Sequence, residues 1–356
     1  MQVVAKESLD AAEISPTDWE KLTDPTRMFN SFEFRPAWWF HLPMFLIGVS
    51  WAIRLRKANF FAAANPALEN GGLYNYSKFA AQNHFPSLNL PKTCLLYSEE
   101  NINLILDRVR KQRILFPFII KPDMGERGKG VKLIRKWEEL ETYLAEQPKD
   151  AYMIQEFIGK RQEYGVFFFK NPVTGEFSIS SLTRKISLQV IGDGTSSISE
   201  LIQNHPRANR YQDLIQLHDP TSIPSGDEIV KLSPMGNHCK GAVFLDYSAY
   251  INAEMTTAFE MIFENVEGIN YGRLDVKVDD LSELTGPGQV IILEVNGSNA
   301  EPIHMYSPEK SYYESLKTIS FYFQYMAKMA KLNLVGNREK YKDRDTWRSL
   351  MQYLKK

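Results

Sequence analysis

Hydrophobic and polar residues alternate from Tyr271 to Val278, a pattern typical of a half-buried strand. One face carries Leu274, Val276 and Val278, and the other carries Arg273, Asp275 and Lys277. A second apolar run, residues 290–296, is rich in β-branched residues and ends before a glycine. Because the intervening residues 279–288 are rich in turn-forming Asp, Gly and Pro, we predict an antiparallel hairpin.

The predicted hairpin gathers oxygen-bearing side chains. Pairing of its strands brings Asp275, Glu294 and Asn296 onto one face, since residues two apart in a strand point the same way. Two carboxylates and an amide oxygen, with Arg273 beside them, form a site that suits Mg²⁺ shared with nucleotide phosphates. The alternative is a solvated hairpin face. Glu294 argues for the site, because it interrupts an apolar strand, where a buried acid needs a partner.

The same periodicities place the remaining elements in chain order. Helices are predicted at residues 77–83, 99–111, 137–146, 248–265 and 311–332, and strands at residues 93–97, 114–121, 131–134, 151–155, 164–169 and, as a pair, within 177–190. The inner side of the helix 99–111 is predicted to hold Ile102, Leu104, Ile105 and Val109. Ser197 and Glu200 form a capping box. Residues 1–35 are polar and poorly periodic, which predicts a loosely packed arm.

An uncharged, aromatic run covers residues 36–53, and Arg54, Arg56 and Lys57 follow it directly. A membrane-spanning helix needs about 20 apolar residues. This run is shorter and contains a proline and a glycine, so we do not expect it to cross a bilayer. Its aromatic content and basic flank fit peripheral contact with a membrane surface. Burial in the protein, or against a second subunit in a homodimer, is the preferred interpretation, since apolar runs of this length are ambiguous.

A glycine-rich loop follows the predicted strand that ends at Lys121, and its glycines are Gly125, Gly128 and Gly130. The loop is not a P-loop, because no Gly-Lys-Ser/Thr opens a helix, and the dinucleotide order Gly-x-Gly-x-x-Gly is absent. Successive backbone N–H groups in such a loop form an anion-binding concavity, which glycine permits by adopting positive φ. Lys121 and the loop are therefore candidates for phosphate contact, with an ordinary flexible hairpin as the alternative.

Two further segments offer polar groups to a nucleotide. A strand runs into a short polar crossover after Gln155, where backbone groups of Phe157 and Ile158 can meet an adenine edge and Glu163 can accept ribose hydroxyls. A surface turn with acids facing water is equally compatible. Farther along, a loop flanked by glycines carries Asn237, His238 and Lys240, which are candidates for contact with phosphate or substrate. A single His beside a single Cys makes a poor zinc site.

Composition narrows the class of protein. The chain has 356 residues, of which 44% are hydrophobic, enough for two or three domains. A net charge of −1 gives no general electrostatic grip on nucleic acid. The two cysteines imply no disulfide framework, and residues 1–13 are too charged for a secretory signal. We therefore expect a cytoplasmic protein without a nucleic-acid partner. The alternative is a cytoplasmic protein that associates with a membrane through residues 36–57.

Taken in order, these pieces resemble the ATP-grasp superfamily over roughly residues 90–335. The order is Lys121, the glycine-rich loop, the hinge with Glu163, the Gly192-Asp193-Gly194 turn, the Asn-x-x-x-Gly loop from Asn237, Arg273-x-Asp275 and Glu294-x-Asn296. Within the superfamily the chain is most similar to D-alanine–D-alanine ligase-like and glutathione-synthetase-like carboxylate–amine ligases. The Gly-Asp-Gly turn and the helix after it are also similar to the ATP-grasp part of cyanophycin synthetases.

The resemblance implies an α+β fold in which two α+β subdomains clasp ATP, preceded by a mostly helical N-terminal region. The implied boundaries are a helical or irregular region at residues 1–89, an N-terminal subdomain at 90–158, a C-terminal subdomain at 159–335 and a basic helical tail at 336–356. The chain departs from the family in three places. The hinge reads Gln155-Glu156, the loop after Asn237 has Ala242 in place of a second glycine, and the usual N-terminal α/β substrate domain is not evident.

Residue roles follow from the resemblance. It implies a nucleotide site of Lys121, Gly125, Arg127, Gly128, Gly130, Gln155, Glu156, Phe157, Ile158, Glu163, Lys185 and Asn237, one or two Mg²⁺ (or Mn²⁺) ions on Asp275, Glu294 and Asn296, and catalytic cations Arg273, Lys121 and Lys240. Lys121 would contact the α- and β-phosphates, and Arg273 the γ-phosphoryl group. The region after Asn296 borders the acceptor in similar enzymes, which makes His304, Tyr306 and Ser307 candidates for substrate contact.

The implied reaction is ATP-dependent joining of a small-molecule carboxylate to an amine through an acyl phosphate, giving a peptide-like amide. Positioning and charge neutralisation are the main tasks of the protein in such chemistry. Two alternatives remain open from the sequence. One is an ATP-grasp kinase that phosphorylates a small molecule and stops there, and the other is a membrane-surface protein with a vestigial nucleotide site.

Overall fold

Antiparallel sheets and the helices packed on them make up the part of the chain described by the computed structural model. The described residues are 14–24, 38–97, 99–125, 128–146, 151–211, 219–233, 236, 240–337 and 341. The helices are α1 (Pro16–Leu22), α2 (Trp38–Leu55), α3 (Phe60–Ala64), α4 (Lys78–Gln82), α5 (Ile102–Lys111), α6 (Trp137–Glu146), α7 (Ile198–Asn204), α8 (Ala253–Ile262) and α9 (Tyr312–Leu334). Short 3₁₀ helices lie at Glu69–Gly72, Ser87–Asn89, Ser248–Tyr250, Leu281–Thr285 and Ile303–Tyr306.

The strands form three antiparallel sheets. They are β1 (Thr93–Tyr97), β2 (Phe118–Pro122), β3 (Lys132–Ile134), β4 (Ala151–Glu156), β5 (Gln162–Lys170), β6 (Phe177–Ile186), β7 (Gln189–Ile191), β8 (Ile229–Lys231), β9 (Val243–Asp246), β10 (Tyr271–Val278) and β11 (Ile291–Asn296). A four-stranded sheet has the order β1-β4-β2-β3, a five-stranded sheet has the order β11-β10-β5-β6-β9, and β7 pairs with β8.

Strand β5 lies in the middle of the larger sheet and is buried on both faces. On one face Phe168 packs with Phe263 in a large cluster that includes α8. On the other face Phe167 and Phe169 pack with Tyr322 of α9. Two covered faces explain why β5 is almost continuously apolar, whereas a half-exposed strand would alternate.

The predicted hairpin is present, because β10 pairs antiparallel with β11. Asp275 lies opposite Glu294 and Arg273 opposite Asn296, and the register shifts directly after Asp275. The predicted capping box of Ser197 and Glu200 also begins α7. Prediction of the hairpin succeeded because a strand with one polar face carries a clear period of two.

Three local predictions differ from the structure. The strand expected from residue 114 begins at Phe118, since Pro117 has no N–H to donate to a ladder. Leu104, expected on the inner side of α5, is 58% exposed, whereas Ile105 and Val109 are buried. The helix expected from residue 248 is a 3₁₀ turn followed by α8, which begins after the capping residue Asn252.

The loosely packed arm predicted for residues 1–35 is wrong for residues 14–24. Ser15 caps α1 and Trp19 is fully buried, with its ring stacked on His205 at 6.0 Å between ring centroids. A helix of seven residues is too short to show a hydrophobic period in the sequence. Residues 1–13 and 25–35 lie outside the described residues, and so does nearly all of the predicted basic tail.

His205 makes the packing of α1 sensitive to pH. Burial, helped by the charge of Arg207, lowers the pKa of His205 to about 4 from its usual 6.5. Its Nδ1 accepts the backbone N–H groups of Arg207 and Ala208, which requires the neutral ring. The unfolded chain therefore binds a proton more readily between pH 6.5 and 4, and the stability that His205 contributes is lost as pH falls through that window.

We expect this loss to be on the order of 3 kcal/mol, at about 1.4 kcal/mol for each unit of pKa shift. The measurement is urea unfolding between pH 7 and 4, with His205→Gln as the matched variant that cannot titrate. The difference in free energy of unfolding between the two proteins is expected to shrink as pH falls. A constant difference across the window would show that His205 does not carry this pH dependence.

Asn65 fastens the N-terminal region to the base of β10. Its Oδ1 accepts the N–H groups of Asn270 and Tyr271, both at 2.9 Å, and its Nδ2 donates to Gly71 O at 3.1 Å. The carbonyls of Gly71 and Gly72, both glycines at positive φ, then accept the N–H groups of Ser298 and Asn299 just after β11. The loop at residues 65–72 therefore braces the ends of both strands of the hairpin.

Replacing Asn65 with Ala is expected to lower the free energy of unfolding by about 2–5 kcal/mol. Two buried backbone N–H groups lose their acceptor, and each unsatisfied group costs about 1–3 kcal/mol. Urea unfolding measures the change. Asn103→Ala is the control, since Asn103 is an exposed residue inside helix α5. An equally small effect at both positions would show that the brace is not important for stability.

Candidate active site

Strands β10 and β11 present the predicted acidic residues at one place. Asp275 is buried, and its Oδ2 accepts a hydrogen bond from Asn296 Nδ2 at 3.2 Å. Glu294 lies directly opposite Asp275 in the ladder. The hairpin thus brings Asp275, Glu294 and Asn296 together at the edge strand of the larger sheet and its neighbour.

Two cations hold the carboxylate of Asp275. The guanidinium of Arg273 donates from Nε to Oδ1 at 2.7 Å and from Nη2 to Oδ2 at 3.2 Å, while its Nη1 donates to Glu301 O at 2.8 Å. Lys185 of β6 reaches Asp275 Oδ2 at 3.0 Å and Glu163 Oε1 at 2.9 Å. Lys185 therefore links the acid predicted for ribose contact to the acid predicted for metal binding.

Gly165 of β5 makes room for this arrangement. It pairs with Asp275 across the ladder, and a Cβ at this position would lie 2.8 Å from Ile303 Cδ1 and 3.0 Å from Arg273 Cδ. A side chain here would push Arg273 off the carboxylate. The glycine inside an apolar strand was a signal for close approach of another group, which sequence reasoning missed.

Two lysines from outside the larger sheet approach Glu294. Lys78 of α4 forms an ion pair with Glu294 Oε1 at 2.5 Å. Lys121 of β2 donates to Leu293 O at 3.2 Å and to Gln155 Oε1 at 2.9 Å. These contacts join the four-stranded sheet to β11. The site therefore lies between the four-stranded sheet and the five-stranded sheet.

The charges in the site support one another. Burial opposes ionisation of Asp275, but Arg273 and Lys185 outweigh it and hold the pKa of Asp275 well below its usual value. Burial likewise opposes the charge on Glu294, whose pKa is nevertheless lowered, chiefly by Lys78. Burial lowers the pKa of Lys121 to about 8, against the attraction of Glu294. The acids are thus anionic at neutral pH, which is the state that ligates metal.

Lys78 is a site residue that sequence reasoning missed. It is the first residue of α4, where a positive charge is disfavoured by the helix dipole. That unfavourable placement is the local signal that the sequence offered. Asp123, just beyond β2, fixes α4 in place by accepting the N–H of Phe79 at 2.8 Å and the hydroxyl of Ser77 at 3.0 Å.

The glycine-rich loop runs from the end of β2 to β3. Gly128 and Gly130 have φ of 69° and 73°, the left-handed conformation that the sequence analysis anticipated for this loop. Tyr143 of α6 donates to Gly130 O at 2.6 Å and so anchors the end of the loop. Gly125 is described, whereas Arg127 lies outside the described residues.

The hinge residues have protein partners that sequence reasoning did not foresee. Gln155 bonds Lys121, and its Nε2 donates to Gln82 at 3.3 Å. Lys277 donates to Ile158 O at 2.9 Å and lies over the ring of Phe157 at 5.4 Å. Glu156 is 3.6 Å from Lys92 in an ion pair on the surface. The carbonyl of Ile158 is therefore engaged by Lys277 rather than open to an adenine, and Glu163 is engaged by Lys185.

The segment after β11 lies beside Arg273. Glu301, whose carbonyl accepts from Arg273, also accepts the hydroxyl of Tyr306 at 2.9 Å. Burial lowers the pKa of His304 to about 4, and no described residue is a hydrogen-bond partner for its buried Nδ1. Ser307 is buried. Of the predicted loop, Lys240 lies half-buried in the turn before β9, and Asn237 lies outside the described residues.

The donor set of the hairpin fits a hard divalent cation. Asp275 and Glu294 are anionic, and Asn296 adds an amide oxygen, which matches the oxygen ligands of Mg²⁺. Within the described residues there is no group of three His, Cys, Asp or Glu that would complete a cage alone. Lys78, Lys121, Lys185 and Arg273 place four cationic side chains around this donor set.

Comparison with known proteins identifies the type of domain. Residues 76–180 match the family model of the RimK-like ATP-grasp domain, a range that includes Lys78, Lys121 and Glu163. The chain is 26% identical over 213 residues to a cyanophycin synthetase of Synechocystis sp., covering 53% of this chain and 24% of that protein. It is 25% identical over 211 residues to a cyanophycin synthetase of Trichormus variabilis, covering 53% and 23%. The chain thus spans about a quarter of the length of these relatives.

Solved structures with a similar fold include a bifunctional glutathione synthetase from Pasteurella multocida, with a TM-score of 0.36, 16% identity and coverage of 68% of this chain and 35% of that chain. They also include a D-alanine–D-alanine ligase from Bacillus anthracis, with a TM-score of 0.40, 14% identity and coverage of 74% and 68%. The family match, together with the antiparallel sheets and flanking helices, confirms the predicted α+β ATP-grasp fold. The chain therefore has the ATP-grasp fold, and its residues 76–180 match the RimK-like ATP-grasp domain.

Proposed function

We propose that this protein is an ATP- and Mg²⁺-dependent ligase that joins a small-molecule carboxylate to an amine through a peptide-like amide bond. The observation that carries the proposal is the meeting of Asp275, Glu294 and Asn296 with four cations drawn from α4, β2, β6 and β10. The relatives that match about half of this chain are named cyanophycin synthetases, which supports a synthetase reaction.

In the proposed site Glu294 pairs with Lys78 and Asp275 pairs with Lys185. When ATP and Mg²⁺ bind, the lysines would pair with phosphate and the carboxylates with the metal. Asp275 and Glu294, with the amide oxygen of Asn296, are the residues that would hold Mg²⁺, and the ion would supply neutralisation of phosphate charge. Lys78 and Lys185, which now lie on these carboxylates, then turn to the phosphates. The exchange keeps every buried charge paired, which avoids the large cost of an isolated one.

Arg273 and Lys121 are the proposed catalytic cations. The guanidinium of Arg273 is held by Asp275 and by Glu301 O, so its position is fixed before the substrates bind. There it contacts the γ-phosphoryl group as this group passes from ATP to the carboxylate oxygen of the acyl donor. The amine then attacks the acyl carbon, phosphate leaves, and Arg273 stabilises the oxyanion. Lys121 contacts the α- and β-phosphates. Lys240 is proposed as a further catalytic cation, which contacts phosphate or substrate.

The nucleotide and acceptor ends of the site are also proposals. The hinge of Gln155, Glu156, Phe157 and Ile158 holds the adenine through groups other than the Ile158 carbonyl, which Lys277 engages. Glu163 holds the ribose, and the loop of Gly125, Arg127, Gly128 and Gly130 closes over the phosphates, with Asn237 nearby. At the acceptor end, His304 and Tyr306 border the substrates, since Glu301 links Tyr306 to Arg273. The pKa of His304, about 4, keeps its imidazole neutral at pH 7.

The experiment is to supply ATP, Mg²⁺ and mixtures of amino acids and short peptides, and to follow phosphate release and products by mass spectrometry. The proposal predicts phosphate release that requires both a carboxylate and an amine, and a product lighter by one water than the sum of the two. A stable phosphorylated compound formed without an amine would replace this proposal with the kinase reaction. No turnover and no ATP binding would favour the vestigial site.

The cellular location and the other partners of the protein are also proposals. Small-molecule carboxylates and amines, together with ATP, are available in the cytoplasm, where we place the reaction. No nucleic-acid partner is proposed, since the net charge is −1. Within the described residues, no helix is both long enough and apolar enough to span a bilayer. Peripheral membrane contact and a homodimer are competing proposals for the apolar helix α2, and they can be distinguished by experiment.

A further inference from the structure

Helix α2 (Trp38–Leu55) is only half covered, contrary to the burial preferred from its sequence. One side packs on α9, where Met44 and Ile47 join the cluster of Met305 and Ile319. The other side faces outward and carries seven large apolar side chains with exposed fractions from 38% to 71%. They are Trp38, Trp39, Leu42, Phe45, Leu46, Val49 and Ile53. Their spacing of three and four residues places them along a single stripe of the helix.

The exposed stripe belongs to a helix that is firmly attached to the protein. The hydroxyl of Tyr312 donates to Trp39 O at 2.7 Å, and Gly48 lies against the ring of Phe323. Near its C-terminal end, Trp51, Ala52 and Leu55 pack against the cluster that holds α9 to β5. The stripe runs from Trp38 to Ile53 and is therefore a fixed surface about 24 Å long, at about 1.5 Å for each residue. An apolar surface of this extent on a folded domain marks an interaction site.

The charges at the end of the stripe decide which partner fits. Arg54 and Arg56 are exposed at the C-terminal end, Lys57 follows, and α2 contains no carboxylate. Two copies of the chain packed through this stripe would bring only uncharged or basic groups together, so the arginines would gain no acidic partner on the helix. An anionic bilayer supplies both an apolar layer for the stripe and negative headgroups for the arginines. Tryptophan at the other end, Trp38, is typical of the membrane interface.

We propose that α2 is a monotopic membrane-docking helix, which lies in the plane of a bilayer containing anionic lipid and holds the domain at its surface. The apolar stripe enters the headgroup–acyl boundary, while the opposite side of α2 stays packed on α9. This inference does not depend on the ligase reaction, since α2 contributes no residue to the proposed site. It also explains why the helix is too short and too interrupted to span a membrane yet keeps large exposed aromatic residues.

The test is co-sedimentation of the full chain with vesicles of phosphatidylcholine alone and of phosphatidylcholine mixed with phosphatidylglycerol. We expect binding to the mixed vesicles that weakens as salt is raised. The double substitution Phe45→Gln with Leu46→Gln removes two apolar anchors and should weaken partitioning at least about tenfold. The double substitution Arg54→Gln with Arg56→Gln should weaken binding to the mixed vesicles about 10–30-fold and leave the weak binding to phosphatidylcholine unchanged.

The matched control is Leu88→Gln with Leu115→Gln, which removes two exposed leucines that lie outside α2. It should bind vesicles like the original chain. Sedimentation velocity is run on the same proteins, because a second copy is the competing occupant of the stripe. A dimer that the Phe45/Leu46 variant dissociates, together with no vesicle binding, would overturn the proposal. Equal vesicle binding by the Phe45/Leu46 variant and the original chain would overturn it as well.

Discussion

Replacing Asp275 with Asn is expected to abolish Mg²⁺-dependent turnover of ATP and to lower the free energy of unfolding by about 3–5 kcal/mol. Asn preserves the shape of the side chain but removes the charge that two buried cations share. Arg273 would lose both of its contacts to that charge, and Lys185 would keep only Glu163. Removing one partner of a buried ion pair typically costs about this amount, because the remaining charge stays buried.

Urea unfolding and an ADP-release assay on the same preparations separate the two effects. The matched control is Asp279→Asn, which removes an acid one residue beyond the end of β10 whose side chain is 44% exposed and whose partner Lys160 keeps Glu283. An exposed pair contributes about 0–1 kcal/mol, so the control should remain stable and active. If Asp275→Asn kept its activity and stability, Asp275 would be neither a metal ligand nor the centre of the charge network.

Replacing Arg273 with Ala is expected to reduce turnover about 10²–10³-fold. This reduction corresponds to a loss of about 2.7–4 kcal/mol of transition-state stabilisation. The reason is that Arg273 is held by Asp275 and by Glu301 O and so costs little reorganisation when charge develops. The steady-state rate at saturating ATP measures the effect, and it should appear in kcat more than in KM.

Arg273→Lys distinguishes charge from geometry. A lysine keeps the positive charge but cannot form the fork that meets two oxygens at once, so a partial recovery of turnover is expected. Circular dichroism in the aromatic region checks that both variants retain the fold. Near-full turnover of the folded alanine variant would remove Arg273 from the mechanism.

The hairpin of β10 and β11 was predictable because a period of two and a turn-rich connection are local signals. The convergence of Asp275, Glu294 and Asn296 followed from it, since strand geometry alone fixes which side chains share a face. The α+β ATP-grasp fold was predictable from the order of motifs, and the family match confirms it. The roles of the individual site residues stay predictions.

Other features depend on contacts that are distant in sequence. Lys78 and Glu294 are 216 positions apart, and no residue near Lys78 in the sequence indicates that Glu294 is its partner. Lys277 reaches back across 119 positions to Ile158, which is why the hinge carbonyl seemed open from the sequence. The half-exposed state of α2 was hidden for a different reason. Its run is apolar on all sides, so the pattern holds no polar face from which exposure could be read.

The most direct test of the central claim is calorimetric titration of the original chain with the β,γ-imido analogue of ATP, with and without Mg²⁺. The account predicts one binding site that requires Mg²⁺ and is lost in Asp275→Asn and in Lys78→Ala, because both substitutions break the charge network between the two sheets. Binding of equal strength in the presence of a chelator, or no binding with Mg²⁺ present, would contradict it.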